Sequence, residues 1–438
     1  MGTKAEIYDV VGVGFGPSNL SLAVALEEHE STRNGDPMKA AFFEKQPELG
    51  WHRNMLLPSA KMQISFLKDL ATFRNPASRY SFVSYLHAAG RLAQFVNNQD
   101  FFPTRQEFHD YLEWAESHFS DRVSYSSEVL SVKLPSGPGR SPADHVEVEV
   151  RDQRLGGRTR LVKARNLVVS TGLVPRMPTG IERDKRVWHS SEFLTRFRAL
   201  DPAQVKRVAV VGAGQSAAEI VRFFYDELPG ATVSAVMPSY GYSIADDTPF
   251  ANRIFDADAV DVYYGGTQRA RDAFWHYHRN TNYGVVDDEV IRDLHQRAYD
   301  DEVRGTPRLD FRNLSRVDSV KQTGDDVRIT MHSVRDDSTY QLDVDVLVFA
   351  TGYDSMEPSR LLGDLEPHCL RDEQGRLRVE RDYRLLTGTE VNCGVYLQGG
   401  TEHTHGLASS LLSNIAVRSG EIADSIAERR SSRQYDAA

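Results

Sequence analysis

Two glycine turns carry the clearest chemistry in this 438-residue chain. The first is Val10-Val11-Gly12-Val13-Gly14-Phe15-Gly16-Pro17-Ser18-Asn19-Leu20, and the second is Val210-Val211-Gly212-Ala213-Gly214-Gln215-Ser216-Ala217. Each time an apolar run ends in Gly-x-Gly and passes at once into a helical pattern. Such a strand–turn–helix lets backbone approach a pyrophosphate, while the helix N-terminus offers N–H donors and a favourable dipole. The first copy has Pro17-Ser18-Asn19 where a small third residue is usual; the second has that small residue at Ala217. Two such units imply two dinucleotides, or two halves of a machine that brings two dinucleotides together. Only Cys369 and Cys393 occur, which excludes a disulfide scaffold, a Cys-only zinc site and a Cys-x-x-Cys redox pair. Any redox chemistry must therefore come from a bound cofactor. The acidic runs Asp256-Ala257-Asp258, Asp287-Asp288-Glu289 and Asp300-Asp301-Glu302 suit solvated helix faces and caps better than metal ligation. His276 with His278 and His403 with His405 match no metal spacing, so no metal is expected.

The elements that position these residues follow from the patterning. Residues 31–37 form a turn-rich insertion ahead of a strand, Ala40-Ala41-Phe42-Phe43-Glu44. Glu44 ends the second strand of a βαβ unit, where a carboxylate can accept both ribose hydroxyls of an adenosine; a plain surface glutamate is the alternative. From Trp51 to Pro76, apolar residues interleave with isolated polar ones, which fits a pocket lining and equally an ordinary buried loop. Thr104 and Glu107 mark the start of an amphipathic helix over 104–118. Alternation over 122–170, broken by a Gly/Pro/Ser segment at 135–142, predicts antiparallel sheet. Two strands end in small-residue turns, Ser170-Thr171-Gly172 and Ala350-Thr351-Gly352. A helix is expected from Leu407 to Ile426.

The fold class is thus α/β, with two Rossmann-like dinucleotide-binding domains and a smaller, mainly helical substrate region. The expected bounds are 1–200 and 341–438 for the first domain, 201–237 and 306–340 for the second, and 238–305 for the helical insertion. A net charge of −10 argues against nucleic acid as a partner. No apolar run is long enough to cross a bilayer, and Met1 to Glu6 lack a signal-peptide layout. A cytoplasmic protein without a membrane partner is expected.

Five blocks in order strengthen this reading: Gly12-x-Gly14-x-Gly16-Pro17-x-Asn19-Leu20; Lys61-Met62-Gln63-x-x-Phe66-x-Lys68-Asp69-Leu70; Gly212-x-Gly214-Gln215-Ser216-Ala217; Ala350-Thr351-Gly352-Tyr353; and His403-Thr404-His405-Gly406-Leu407. Together they resemble the flavin-dependent N-hydroxylating monooxygenases, in particular the L-ornithine N5-monooxygenases of siderophore and related peptide biosynthesis. The resemblance implies FAD on the first unit, through Gly12, Gly14, Gly16, Pro17, Ser18, Glu44, Lys45, Trp51, His52, Gln63, Thr351, Gly352, Leu407 and Ser410. It implies NADPH on the second, through Gly212, Gly214, Gln215, Ser216, Asn252, Asn282 and Ala350. Gln63 and Asn252 become the catalytic candidates, and Lys68, Asn252, Asn282 and Ser410 the contacts of L-ornithine. O2 is the implied co-substrate, through a C4a-hydroperoxyflavin, and a homo-tetramer the implied assembly.

One departure stands out. Some members place an arginine just after the second strand of the NADPH fold, where it pairs with the 2′-phosphate; Val236-Met237-Pro238-Ser239 has no basic residue. Either an arginine elsewhere takes that place, or discrimination between NADPH and NADH is weaker and NADH is used at lower efficiency. The alternatives are an L-lysine N6-hydroxylase, a Baeyer–Villiger or other monooxygenase of the same class, and a flavin-binding sensor. Trp188-His189-Ser190-Ser191 lacks the Phe-x-Gly-x-x-x-His signature of the Baeyer–Villiger enzymes.

Overall fold

A computed structural model describes residues 6–33, 37–135, 142–278, 281 and 283–436. Residues 34–36 and 136–141 of the two loop segments expected at 31–37 and 135–142 lie outside the described residues, and residues 31–33, expected in the first loop, instead end the helix Pro17–Arg33. Two sheets carry the molecule. In the first, Ile7–Val13 lies at the centre of parallel pairings with Ala40–Phe43 and with the long strand Arg158–Val169. That long strand extends the same seven-stranded sheet in two directions. Its first half pairs antiparallel with Val146–Asp152 and so continues to Ser127–Lys133. Its second half pairs parallel with Gly394–Leu397. The alternation expected over 122–170 is this antiparallel wing.

The second sheet is parallel throughout, in the order Leu309–Arg312, Thr232–Val236, Arg207–Val211, Val346–Phe349, Val187–His189. Its last two strands fall inside the bounds expected for the first domain. Likewise the helix Asp288–Arg304, expected in the insertion, buries Val290 and Leu294 in the core of the second unit. Both differences have one cause: an apolar strand or helix face joins whichever sheet offers it a partner, and chain order does not show which. What remains of the insertion is helical, with Pro249–Asn252, Ala257–Gly265 and Gln268–His278. An antiparallel trio, Ser315–Thr323, Asp326–Ser333 and Thr339–Val344, covers the outer side. The short pair Leu173–Pro175 and Tyr353–Ser355 links the units.

Helix starts follow local chemistry. Thr104 caps Arg105–Glu116 by accepting the Glu107 N–H at 3.1 Å, which is half of the expected capping box. The C-terminal helix departs from expectation. Leu407–Ser410 and Leu412–Asn414 form separate short 3-10 turns, and the α-helix runs only from Ile415 to Asp436. Leu411 between them is extended, with φ −94° and ψ 155°, so the helix begins where the apolar face of Ile415, Ile422 and Ile426 enters the core. Among the described residues, no helix is long and apolar enough to cross a membrane.

Candidate active site

The first glycine turn is built from its own unit. Gly14 sits at φ 82°, and a Cβ there would lie 2.3 Å from the Ser170 carbonyl oxygen, so the close approach and the backbone both demand glycine. Around Gly16 a Cβ would meet nothing within 4 Å. Pro17 opens the helix Pro17–Arg33 at the position where a missing N–H does no harm. Asn19 is fully buried and donates to the carbonyls of Val13 (3.2 Å) and Gly14 (2.7 Å). Glu44 accepts the N–H of Phe15 and of Gln46, each at 2.8 Å. Gly12 lies underneath, against the Phe42 ring.

The second turn repeats the geometry. Gly212 has φ 151°, and a Cβ there would come within 2.4 Å of the Ala350 carbonyl oxygen. The two small-residue turns therefore do the same job: Ser170 and Ala350 each bring a carbonyl against the glycine of the neighbouring strand. Gly214 is the N-cap of the helix Gln215–Glu227, and no side chain caps that helix, which leaves its positive end suited to an anion. Thr351 donates its hydroxyl to the Arg176 carbonyl at 2.5 Å, and Gly352 follows at φ 82°.

Residues from both units meet between the turns. Gln63 Nε2 and Gln215 Nε2 each donate to Asp287, at 2.9 Å, to separate carboxylate oxygens. The Asp287 N–H returns a bond to Gln215 Oε1, also at 2.9 Å. Burial raises the Asp287 pKa, against the Gln63 bond that lowers it. Beside this stands a buried, two-pronged ion pair: both Arg105 Nη atoms reach Glu219 at 3.0 Å. Arg105 also donates to the Met55 carbonyl at 2.6 Å.

At the end of the Lys61–Leu70 block, buried Asp69 pins its loop by accepting the N–H groups of Ala71, Thr72 and Phe82 and the Thr72 hydroxyl. From that loop Lys68 extends half-buried, its Nζ 5.9 Å from the centre of the Phe255 ring. Burial lowers the Lys68 pKa and nearby Asp256 opposes the shift. The Arg253–Phe255 turn packs in turn on Leu407–Ser410. Ser410 donates its hydroxyl to Glu402 and receives the Gly400 N–H at 3.4 Å. Asn252 donates to the Asp247 carbonyl at 2.6 Å. His405 is buried, stacked on Tyr383 at 4.1 Å, and its pKa falls to about 4 because burial disfavours the cation; it is a neutral packing residue. The Tyr263 ring of the insertion closes on Gly406. Trp51 stacks edge-on with His52 and tilts onto Phe108, Leu407 is buried, and Lys45 is exposed. Asn282 lies outside the described residues.

Residues 6–355 match the model of the L-lysine 6-monooxygenase/L-ornithine 5-monooxygenase family. This chain belongs to that family. It is 42% identical over 410 residues to an L-ornithine N(5)-monooxygenase of Burkholderia cepacia, covering 92% of this chain and 90% of that one. Among solved structures it resembles the ornithine N-hydroxylase of Kutzneria sp. 744, described with reduced FAD, NADP+ and L-ornithine. That likeness has 61% identity and a TM-score of 0.92, over 97% of this chain and 100% of the other. An ornithine hydroxylase of Pseudomonas aeruginosa shares 34% identity, with a TM-score of 0.90 over the same shares of the two chains.

The residues of this family member fit two dinucleotides. Arg418 is 1% exposed, and among the described residues no carboxylate pairs with it directly. Its Nη1 donates to the Ser409 carbonyl at 2.6 Å, its Nη2 to the Ser18 hydroxyl at 3.3 Å, and its Nε finds no partner. Glu402 and Glu421 act on this cation electrostatically without bonding it, and a buried cation short of a direct partner is costly; a diphosphate bound at the Gly14–Ser18 turn would supply that partner. Arg418, Glu402, the Arg105–Glu219 pair and the bonds of Asp287 to Gln63 and Gln215 belong to no motif in the sequence. Only Arg418 left a signal, a charge within the apolar spacing of Ile415, Ile422 and Ile426.

Proposed function

We propose that this chain hydroxylates the N5 amine of L-ornithine, using FAD, NADPH and O2. In this reading it works in the cytoplasm, where NADPH is regenerated, as a homo-tetramer that feeds siderophore or related peptide biosynthesis. FAD rests on the first turn and NADPH on the second. Bound FAD, once reduced by NADPH, supplies the electrons that activate O2. The protein's residues do the rest. The two helix N-termini and the buried Arg418 guanidinium hold the diphosphates. Lys68 fixes the carboxylate of the amino acid by a charge-assisted bond, and Asn252 and Ser410 orient the chain that leads to the amine. The amine needs no activated side chain, because it is already a nucleophile when unprotonated. The docked insertion, with Tyr263 on Gly406, keeps water from the reacting atoms.

The observation that carries this reading is the placement of Lys68. A half-buried lysine, its pKa lowered by burial, sits beside Phe255 of the insertion and near the turn that bears Ser410. A fixed cation at one end of the pocket makes the distance to the flavin a ruler for side-chain length. One methylene in such a pocket is worth roughly 10–200-fold in kcat/KM.

The test is hydroxylamine formation by the FAD-loaded protein with NADPH, with L-ornithine and L-lysine assayed in parallel. Product with ornithine at tenfold or greater preference is expected. Preference for lysine would overturn the substrate, and NADPH oxidation that yields only peroxide with both would overturn the hydroxylation. Lys68→Ala should raise the ornithine KM by about 10–100-fold, as for loss of a hydrogen bond to a charged group, while NADPH oxidation persists.

A further inference from the structure

Asp287 stands at the N-cap of the helix Asp288–Arg304, with φ −62° and ψ 139°. An aspartate there ordinarily turns its carboxylate onto the first N–H groups of its own helix. This one does not: no side-chain cap forms. Its two carboxylate oxygens go instead to two glutamines from different units, Gln63 of the pocket block and Gln215 of the second glycine turn, each at 2.9 Å. The Gln215 amide is read on both faces, because the Asp287 N–H donates to Gln215 Oε1 and Gln215 Nε2 also reaches Glu219 at 3.0 Å. Docking of the units does not require this arrangement, since the buried Arg105–Glu219 pair already spans them.

We infer that Asp287 is a positioning residue for hydride transfer, holding Gln63 on the flavin side and Gln215 on the nicotinamide side at a set separation. The inference rests on the assignment of FAD and NADPH to the two turns. In the step concerned, NADPH would give up a hydride to the oxidised flavin, becoming NADP+ as the flavin becomes reduced, and Asp287 exchanges neither proton nor electron. Its contribution is register: hydride transfer needs donor and acceptor in near-contact, and small misplacements cost large factors in rate. An asparagine at this position offers one acceptor oxygen to two donors and sets its own NH2 against a glutamine NH2.

The experiment is anaerobic reduction of the FAD-loaded protein by NADPH and by 4-deuterated NADPH, followed at the flavin absorbance, without any amine. Asp287→Asn should slow the first-order reduction at saturating NADPH by about 10–100-fold. A primary isotope effect should show that hydride transfer is the slowed step. The NADPH dissociation constant should move less than about threefold, and the thermal midpoint should stay with the wild type. Combined with Gln63→Leu, the aspartate variant should be no slower than the slower single variant, since both act on one contact. If Asp287→Asn does not fold, Gln215→Leu removes the link, leaves the aspartate in place and should show the same slow reduction. Reduction within twofold of wild type in either variant overturns the inference, as does slowing that multiplies in the double variant and follows a fall in thermal midpoint. If the wild-type protein is not reduced by NADPH at all, the assignment of the nucleotides fails instead, and a wrong amine substrate affects neither result.

Discussion

The two glycine turns share a backbone and differ in what holds them. The first is closed within its own unit: Asn19 satisfies two carbonyls of the turn, and Glu44 takes the Phe15 N–H. The second has no buried asparagine and no second-strand carboxylate on its turn. Its helix is tied across the cleft, through Gln215 to Asp287 and Gln63 and through Glu219 to Arg105. A turn braced by its own unit suits a resident group that need not leave. A turn braced by its neighbour can report, through that contact, whether its own ligand is in place.

The contrast can be broken most forcefully at Glu219. Glu219→Ala leaves Arg105 buried without its anion and should cost about 3–5 kcal/mol in denaturant unfolding. The loss should appear in the second turn's hold on NADP+ as well as in global stability. Asn19→Ala strips the first turn of two bonds made by a buried amide. It should cost about 1–3 kcal/mol and weaken FAD retention, while NADP+ titration of FAD-reconstituted protein stays unchanged. Arg418→Met sharpens the contrast further. FAD binding to the apoprotein, read by flavin fluorescence quenching, should weaken about tenfold, or roughly 1.4 kcal/mol; Arg418→Lys should restore most of it. Equal loss in both variants would assign Arg418 to packing alone. The smallest effect is in pH dependence. The Lys68 pKa is lowered, so its cation is intact at low pH and is lost as pH rises through that lowered value. The ornithine KM should therefore rise on the alkaline side, at a lower pH than an ordinary lysine would give. Lys68→Arg, which stays charged, should remove that rise.

Pro238 adds a chemical difference to the mechanical one. The residue beside the end of the second strand is Arg312, paired in register with Val236, but its Nε is committed to Asp310 at 2.7 Å. Comparing Pro238→Arg with the wild type for the ratio of NADPH to NADH use tests the expectation of relaxed discrimination.

Much of the architecture was legible because it is local. An apolar run, a glycine pair and a helical pattern state a nucleotide turn without distant contacts, and both turns stand where the pattern put them. The Ser170 and Ala350 turns were legible as small-residue strand ends; that each brings its carbonyl against a glycine of the neighbouring strand was not. Other features were illegible for a common reason. The strands Val187–His189 and Val346–Phe349 carry no mark of the sheet they join, because parallel pairing is a contact between segments far apart in the chain. Asp287 lies in an acidic run and reads as a helix cap; its backbone is indeed at the cap, and only the approach of Gln63 and Gln215 draws its carboxylate elsewhere. The helix expected from Leu407 is interrupted because the loop that bears Ser410 must bend around Glu402 and Arg418.

Composition and spacing alone settled the α/β class, the pair of nucleotide turns and the reliance on a bound cofactor, since backbone freedom at glycine and hydrophobic period are properties of short segments. Tertiary structure decided which side chains complete the site. The Asp287 link, the Arg105–Glu219 pair and the buried charge of Arg418 exist only when segments 72 to 400 residues apart are brought together. In that low-dielectric setting each polar group must find a partner or bear the cost of lacking one.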